Sequence, residues 1–498
     1  MTTTEKGHPK GLYLLFATEM WERFSYYGMR GLLTLYLTKA TIEGGLGFDD
    51  ANAGLIYGIY TGLVYLTPIF GGWLADNVLG QRKSITLGGI LMALGQICLF
   101  MSSSEHIVMF YAGLILLIIG NGFFKPNISS MVGQLYPKGD KKIDAAYTIF
   151  YMGINTGGAI GPVVCGFFAE SSGNAGDYKW GFLAGGIAMI ISVITQIIFQ
   201  KKYLVNTEGE PIGDTPKGAP AFFQKLPVMV GFLFLLSLVT IALVYIDIKV
   251  VSYLFWLLLA CILLISFIVF SDKNLDLIQK KKVAVLFTVS FFVIFFWSAF
   301  EQAGASLTYF ASENTQRDLG FYVVPASFFQ SLNSLFVVSL APIVAWVWVK
   351  LGKREPSSPF KMAFGLFFLA LGYLWIATGV DGVGAGVKVS MIWLLGMYMM
   401  HTLGELCLSP IGLSLFNKLA PIKFASLLMG VWFTANAFAN KLAGVFSALY
   451  PENGKITSFA GYQISNLHEF FMFFVFMAGT ASLILFFLSS KLKSLMEQ

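Results

Sequence analysis

Leu12-Tyr-Leu-Leu-Phe-Ala-Thr-Glu19-Met-Trp-Glu22-Arg23-Phe24-Ser-Tyr26-Tyr27-Gly28-Met-Arg30-Gly-Leu-Leu33 is an apolar run of membrane-crossing length that carries two acids and two arginines. A helix needs about 20 residues to cross a bilayer, and each unpaired charge at its centre costs roughly 2.5–3.5 kcal/mol on insertion scales. Glu19, Glu22, Arg23, Tyr26, Tyr27 and Arg30 recur at i, i+3, i+4, i+7, i+8 and i+11. At about 100° per residue they share one arc of roughly 140°, with an axial reach of about 16 Å. A stripe of this kind lines a wet cavity or faces partners that neutralise it. Gluing helices together would not require two carboxylates beside two guanidiniums and two phenols. The start of the run does not read as a cleaved leader: Leu12 to Thr18 is short, charges follow it, and no small-residue cleavage site appears.

The rest of the chain fits a bilayer as solvent. Of its 498 residues 56% are hydrophobic and 12% are charged, against about 25% charged in an ordinary soluble domain. A net charge of +6 without a dense basic domain argues against a nucleic-acid partner, and the apolar excess argues against disorder. Cys98, Cys165, Cys261 and Cys407 lie in apolar runs without paired spacing, so neither a disulfide framework nor a zinc site is expected. The expected fold is all-α and polytopic.

Fourteen spans are predicted, near 12–39, 51–75, 84–103, 107–134, 144–170, 180–200, 222–246, 252–271, 283–311, 325–349, 359–378, 388–418, 425–449 and 468–491. With an even count both termini share one side. That side holds twenty-three of the basic residues and the opposite side six, which puts both termini in the cytoplasm. The loop after span two, Gly72-Trp-Leu-Ala-Asp76-Asn-Val-Leu-Gly80-Gln-Arg82-Lys83, has an echo in Leu351-Gly352-Lys353-Arg354. If spans seven and eight are an insertion, the echo falls after the second helix of each six-helix half, a transporter architecture. The predicted division is 1–201 as an amino-terminal six-helix bundle, 202–281 as a cytoplasmic linker with two inserted helices, and 282–498 as a carboxy-terminal six-helix bundle. The glycine, aspartate and basic pair of the first loop resemble the signature of the major facilitator superfamily.

Outside the first span few ionisable groups lie at depth. Lys125, beside Pro126 in mid-span, is a candidate anion site. Lys441 falls late in its span, toward the outer face, and reads as a snorkelling side chain. Glu301 and Glu405 belong to the second half, and a buried carboxylate that alternates between apolar and cationic surroundings can carry a proton. Gly153, Gly157 and Gly161 form a small-residue seam. Asn155 lies within that seam, and Asn333 is its candidate counterpart in the other half. Trp432, Tyr65, Tyr26 and Tyr27 are candidate walls of a pocket.

Two motifs carry a more specific resemblance. Glu19-Met-Trp-Glu22-Arg23-Phe24-Ser-Tyr26-Tyr27-Gly28 and Phe150-Tyr151-Met-Gly153-Ile154-Asn155-Thr156-Gly157 resemble two signatures of the proton-coupled oligopeptide transporters, bacterial members of which carry two inserted helices. Lys125, Glu301 and Glu405 match as well. The resemblance implies a symporter that imports di- and tripeptides with protons, without a cofactor other than the coupling ion. It implies proton coupling by Glu19, Glu22, Arg23 and Glu301. Substrate binding would fall to Arg23, Tyr26, Tyr27, Arg30, Tyr65, Lys125, Asn155, Asn333, Glu405 and Trp432. Arg30 with Glu301 and Lys125 with Glu405 would be the gating pairs. Phe300 departs from the pattern, since some members carry a second acid there.

The alternative is a proton-coupled transporter of another small solute, such as an amino acid, nitrate or a peptide-like compound. An enzyme is not expected: the four histidines form no HExxH, Gly-x-Ser-x-Gly is absent, and no Gly-Lys pair is followed by Ser or Thr. His401, one turn before Glu405, reads as a packed polar residue. The protein is expected to work as a monomer in a bacterial inner membrane.

Overall fold

The structure is a computed structural model that describes residues 7–137, 140, 142–170, 177–216, 231, 237–238, 253–384, 386–421, 424–451 and 455–497. The predicted span 222–246 lies almost wholly outside the described residues. The other thirteen each correspond to a helix: α1 (Lys10–Thr38), α2 (Asp50–Leu74), α3 (Gln81–Phe100), α4 (Ile107–Gln134), α5 (Ile143–Glu170), α6 (Tyr178–Tyr203), α7 (Tyr253–Ser271), α8 (Leu277–Phe300), α9 (Ser331–Leu351), α10 (Ser358–Val380), α11 (Ile392–Leu419), α12 (Ala425–Ser447) and α13 (Leu467–Glu497). Among the described residues, nine stretches are long and apolar enough to cross a membrane by length and composition alone. α1 is outside that set because its charges interrupt the apolar run.

Helices suit a bilayer because each satisfies its backbone polar groups internally. Their ends follow local chemistry. α8 opens with a capping box in which Asp276 accepts from the Gln279 amide at 2.6 Å and Gln279 Oε1 accepts from the Asp276 amide at 3.2 Å. α8 also ends earlier than the predicted span 283–311. Glu301–Gly304 tighten into a 3-10 turn, and Ala305 at φ −127°, ψ −106° leaves the helical region, so Glu301 occupies a helix terminus. α9 starts correspondingly late, after a 3-10 turn at Ala326–Gln330. Strands are confined to two-stranded pieces in loops, one parallel and one antiparallel.

The chain packs as two compact units. The first comprises 1–47 and 63–245, the second 48–62 and 246–498. In the first, α1 packs on α5 and α6, and α3 packs on α4 and α6. The predicted glycine seam of α5 is used here. A Cβ at Gly157 would lie 2.2 Å from the Met20 carbonyl oxygen, and one at Gly161 would lie 2.4 Å from that of Phe24. The Gly72–Lys83 loop is held by the linker that follows α6. Arg82 donates to the Leu204 carbonyl and pairs with Asp214 at 3.3 Å, while Thr215 donates to the Leu79 carbonyl at 3.0 Å. At the end of α2 the close helix approach is at Gly71, where a Cβ would lie 2.0 Å from the Gly122 carbonyl oxygen, while one at Gly72 would meet nothing closer than 3.6 Å.

In the second unit α10 packs on α11 and α13, and α12 packs on α7 and α8. The first half of α2 also belongs to this unit, and a Cβ at Gly58 would lie 2.8 Å from Gly444 Cα of α12. Aromatic rings fill the interior: Tyr373 stacks on Phe474 at 4.7 Å, and Phe310 meets Phe471 edge-on at 5.3 Å.

Candidate functional site

In the first unit, the α1 stripe is buried: Glu22 is fully inaccessible, and Glu19, Arg23 and Arg30 are nearly so. Arg23 Nε bonds Glu22 and lies 3.1 Å from Glu19 Oε1, so one guanidinium serves two carboxylates. Its Cζ lies 5.1 Å from the Tyr26 ring centroid, and that of Arg30 lies 5.9 Å from the Tyr27 ring. The second oxygens of both acids and Arg23 Nη2 are buried without a hydrogen-bond partner. A buried polar atom without a hydrogen-bond partner is costly, which sets this cluster apart from a fully satisfied ion pair.

From α4, the Lys125 ammonium lies 4.4 Å from the Tyr65 ring of α2. The structure therefore gathers Glu19, Glu22, Arg23, Tyr26, Tyr65 and Lys125 in one unit. Asn155 stays local, donating to its own helix at the Tyr151 carbonyl, 2.9 Å away.

In the second unit, Asn333 in the first turn of α9 donates to Glu405 Oε2 of α11 at 2.8 Å and reaches Thr402 Oγ1 at 3.1 Å. Asn333 and Glu405, both expected in substrate binding, are thus in contact with each other. Glu301 is buried at the end of α8, and the Tyr57 hydroxyl of α2 donates to its Oε2 at 3.3 Å. Tyr57 was not marked by the sequence reading, because nothing within its own helix distinguishes it from the neighbouring Tyr60. Trp432 packs inside the unit: a Cβ at Gly412 would lie 2.3 Å from its ring, and Phe416 meets it at 5.4 Å. Core packing accounts for its position. Lys441 is 2% exposed, which corrects the snorkelling assignment. Snorkelling exposes the ammonium, whereas this one is buried on the helix that accepts the Gln302 amide at the Ala443 carbonyl, 2.9 Å away. His401 is buried with its ring 4.7 Å from that of Tyr373, a packed position. Among the described residues no group of three or more His, Cys, Asp or Glu could hold a metal ion.

Comparison with known proteins agrees with this arrangement. The family model described as POT family matches residues 82–464. An uncharacterized transporter, YclF, of Bacillus subtilis is 39% identical over 90% of this chain and 89% of its own. The peptide transporter YePEPT of Yersinia enterocolitica is 35% identical over 88% of this chain and 87% of its own. The di-/tripeptide transporter of Lactococcus lactis subsp. cremoris is 33% identical over 92% and 94%. Among solved structures, a peptide transporter POT in complex with sulfate superposes with a TM-score of 0.84 at 33% identity, covering 100% of this chain and 98% of that one. A POT family transporter in complex with 5-aminolevulinic acid superposes with a TM-score of 0.84 at 30% identity, covering 99% and 98%. Thirteen long helices among the described residues, a buried acid–arginine cluster on the first of them and these matches have one common explanation: the chain belongs to the POT family of membrane transporters.

Proposed function

We propose that this protein is a secondary active symporter that imports di- and tripeptides together with protons by alternating access. Relatives that are named peptide and di-/tripeptide transporters support the reading. The observation that carries it is the distribution of charge within the helices, buried at Arg23 and partly buried at Lys125 and Glu405. The first unit offers cations at Arg23 and Lys125, and the second offers an acid, Glu405, held by Asn333. A zwitterionic peptide carries opposite charges at its two ends, and charge-assisted hydrogen bonds to both ends select the backbone without regard to the side chains.

In this reading Arg23 and Lys125 take the peptide carboxylate, and Glu405, Asn155 and Asn333 take the amino terminus. Tyr26, Tyr27, Arg30, Tyr65 and Trp432 complete the binding set. Glu19, Glu22, Arg23 and Glu301 exchange protons with the cycle. Arg30 with Glu301 and Lys125 with Glu405 act as alternating gates. The protein works as a monomer in a bacterial inner membrane with both termini cytoplasmic, as the excess of basic residues in the loops on that side supports. The division into bundles 1–201 and 282–498 with an inserted 202–281 segment belongs to the same reading.

The test is uptake of labelled di- and tripeptides into proteoliposomes under an imposed inward proton gradient. Accumulation above equilibrium that collapses with an uncoupler is expected, and peptide-independent proton flux alone would overturn the reading. A peptide-like solute is a second reading, favoured by the related structure that holds 5-aminolevulinic acid. Competition against labelled dialanine by unlabelled dialanine, alanine and 5-aminolevulinic acid separates the two.

A further inference from the structure

Asn333 of α9 makes both of its side-chain hydrogen bonds from one nitrogen. Nδ2 donates to Glu405 Oε2 at 2.8 Å and to Thr402 Oγ1 at 3.1 Å. The two acceptors stand three positions apart, on one face of α11. An amide nitrogen carries two hydrogens, and both are used here. Which end of the carboxamide faces α11 is decided by what Thr402 and Glu405 can accept or donate.

Thr402 can only accept. It is fully buried, and its hydroxyl donates to the Tyr398 carbonyl, one turn back on α11, at 2.8 Å. A hydroxyl has one hydrogen. With that hydrogen committed inside α11, the oxygen takes a hydrogen bond from Asn333 and gives none. Glu405 imposes no such rule. Its ionised carboxylate only accepts, but a protonated carboxyl group also donates, and that O–H favours the amide oxygen over the amide nitrogen. Thr402 demands the same amide orientation in either state.

The surroundings hold this contact in place. The adjoining face of α11 is pressed on α10: a Cβ at Gly404 would lie 2.6 Å from the Gly365 carbonyl oxygen, and one at Gly372 would lie 2.9 Å from His401 Nε2. The start of α9 is tied by a second contact of the same kind. Gln330, one turn before Asn333, donates to Thr308 Oγ1 at 3.1 Å, and Thr308 donates to the Ala303 carbonyl at 2.9 Å.

We infer that Thr402 is a positioning residue for recognition of the peptide amino terminus, holding the Asn333 carboxamide with its nitrogen toward Glu405 and its oxygen as a further acceptor. Among the described residues none donates to Asn333 Oδ1. An ammonium group donates three hydrogen bonds and accepts none, so Oδ1 and the Glu405 carboxylate are the groups of this pair that it can use. A flipped amide would turn N–H groups toward the ammonium and an oxygen toward the carboxylate, and both contacts would be repulsive. Thr402, being inaccessible, acts only through Asn333. The inference rests on the proposed binding of the amino terminus by Glu405 and Asn333.

The test measures KM and maximal rate separately for dialanine uptake by the full-length protein in proteoliposomes. Thr402→Val keeps the shape and removes the acceptor. KM should rise about fivefold with the maximal rate preserved, and Thr402→Ser, which keeps a hydroxyl, should return KM toward wild type. In an Asn333→Ala background the Thr402→Val change should add nothing, because its effect passes through Asn333. A merely structural Thr402 gives a lowered melting temperature with the wild-type KM, or a rise in KM that adds to that of Asn333→Ala; either result would overturn the inference. Should Thr402→Val fail to fold, Thr402→Cys keeps a group of similar size with a much weaker acceptor. The same rise is expected, and an unchanged KM overturns the inference. Asn333→Ala separates the two levels. If it raises KM while Thr402→Val does not, this inference alone falls; if it leaves KM at the wild-type value, the reading of the amino-terminal site falls with it.

Discussion

On α1, six polar side chains within Glu19–Arg30 build a cluster by helical spacing alone, whereas Glu301 and Glu405 in the second unit are each held by a residue distant in sequence. Tyr57 serves Glu301 from another helix, and Asn333 serves Glu405 across α9 and α11. The first arrangement is preorganised as soon as one helix forms. The second exists only when several helices have packed. Residues one turn apart meet as soon as their helix forms, whereas a contact between helices depends on how those helices pack.

Four substitutions would break or sharpen this contrast. Arg23→Ala leaves two buried carboxylates without their shared cation, and removing one partner of a buried ion pair costs about 3–5 kcal/mol. Loss of uptake and a large fall in melting temperature are expected, and the contrast fails if Arg23→Ala is milder than any substitution in the second unit. Gly157→Ala drives a methyl group against the Met20 carbonyl, which cannot rotate away. Overpacking of this kind costs about 1–3 kcal/mol, visible as reduced thermal stability with α1 displaced from α5. Asn333→Ala removes a hydrogen bond to a charged group, worth about 1.5–3 kcal/mol. The KM for dialanine should rise roughly tenfold, beyond any loss of thermal stability, if Asn333 acts in recognition. Tyr57→Phe removes a longer hydrogen bond, worth about 1 kcal/mol. A change of roughly fivefold in gradient-driven accumulation, with counterflow intact, would place Tyr57 in the handling of Glu301, and no change would leave it as packing.

The same contrast explains what could be read in advance. The α1 stripe and the α5 glycine seam are periodic patterns, and periodicity survives folding unchanged. The end of α8 at Phe300 was not legible, because Phe295 through Ala305 contains no Pro and its one Gly lies beyond the break. The capture of Arg82 by the linker was not legible either, since Leu204 and Asp214 are more than a hundred residues away. Lys441 was misjudged for a related reason: position along a span predicts depth but not which neighbours enclose a side chain.

By itself the sequence determined the solvent, the number of spans expected, the uneven division of basic residues between alternate loops and the family-like motifs. These follow from composition and from intervals of a few residues, where a side chain's direction depends only on its own helix. Tertiary structure alone decided that Tyr57 meets Glu301, that Asn333 meets Glu405, that the first half of α2 packs in the second unit, and that Gln96 and Gln196 of other helices bond Ser25 and Thr18 of α1. Such contacts join different helices, and helical periodicity says which face a residue occupies without saying which helix lies opposite.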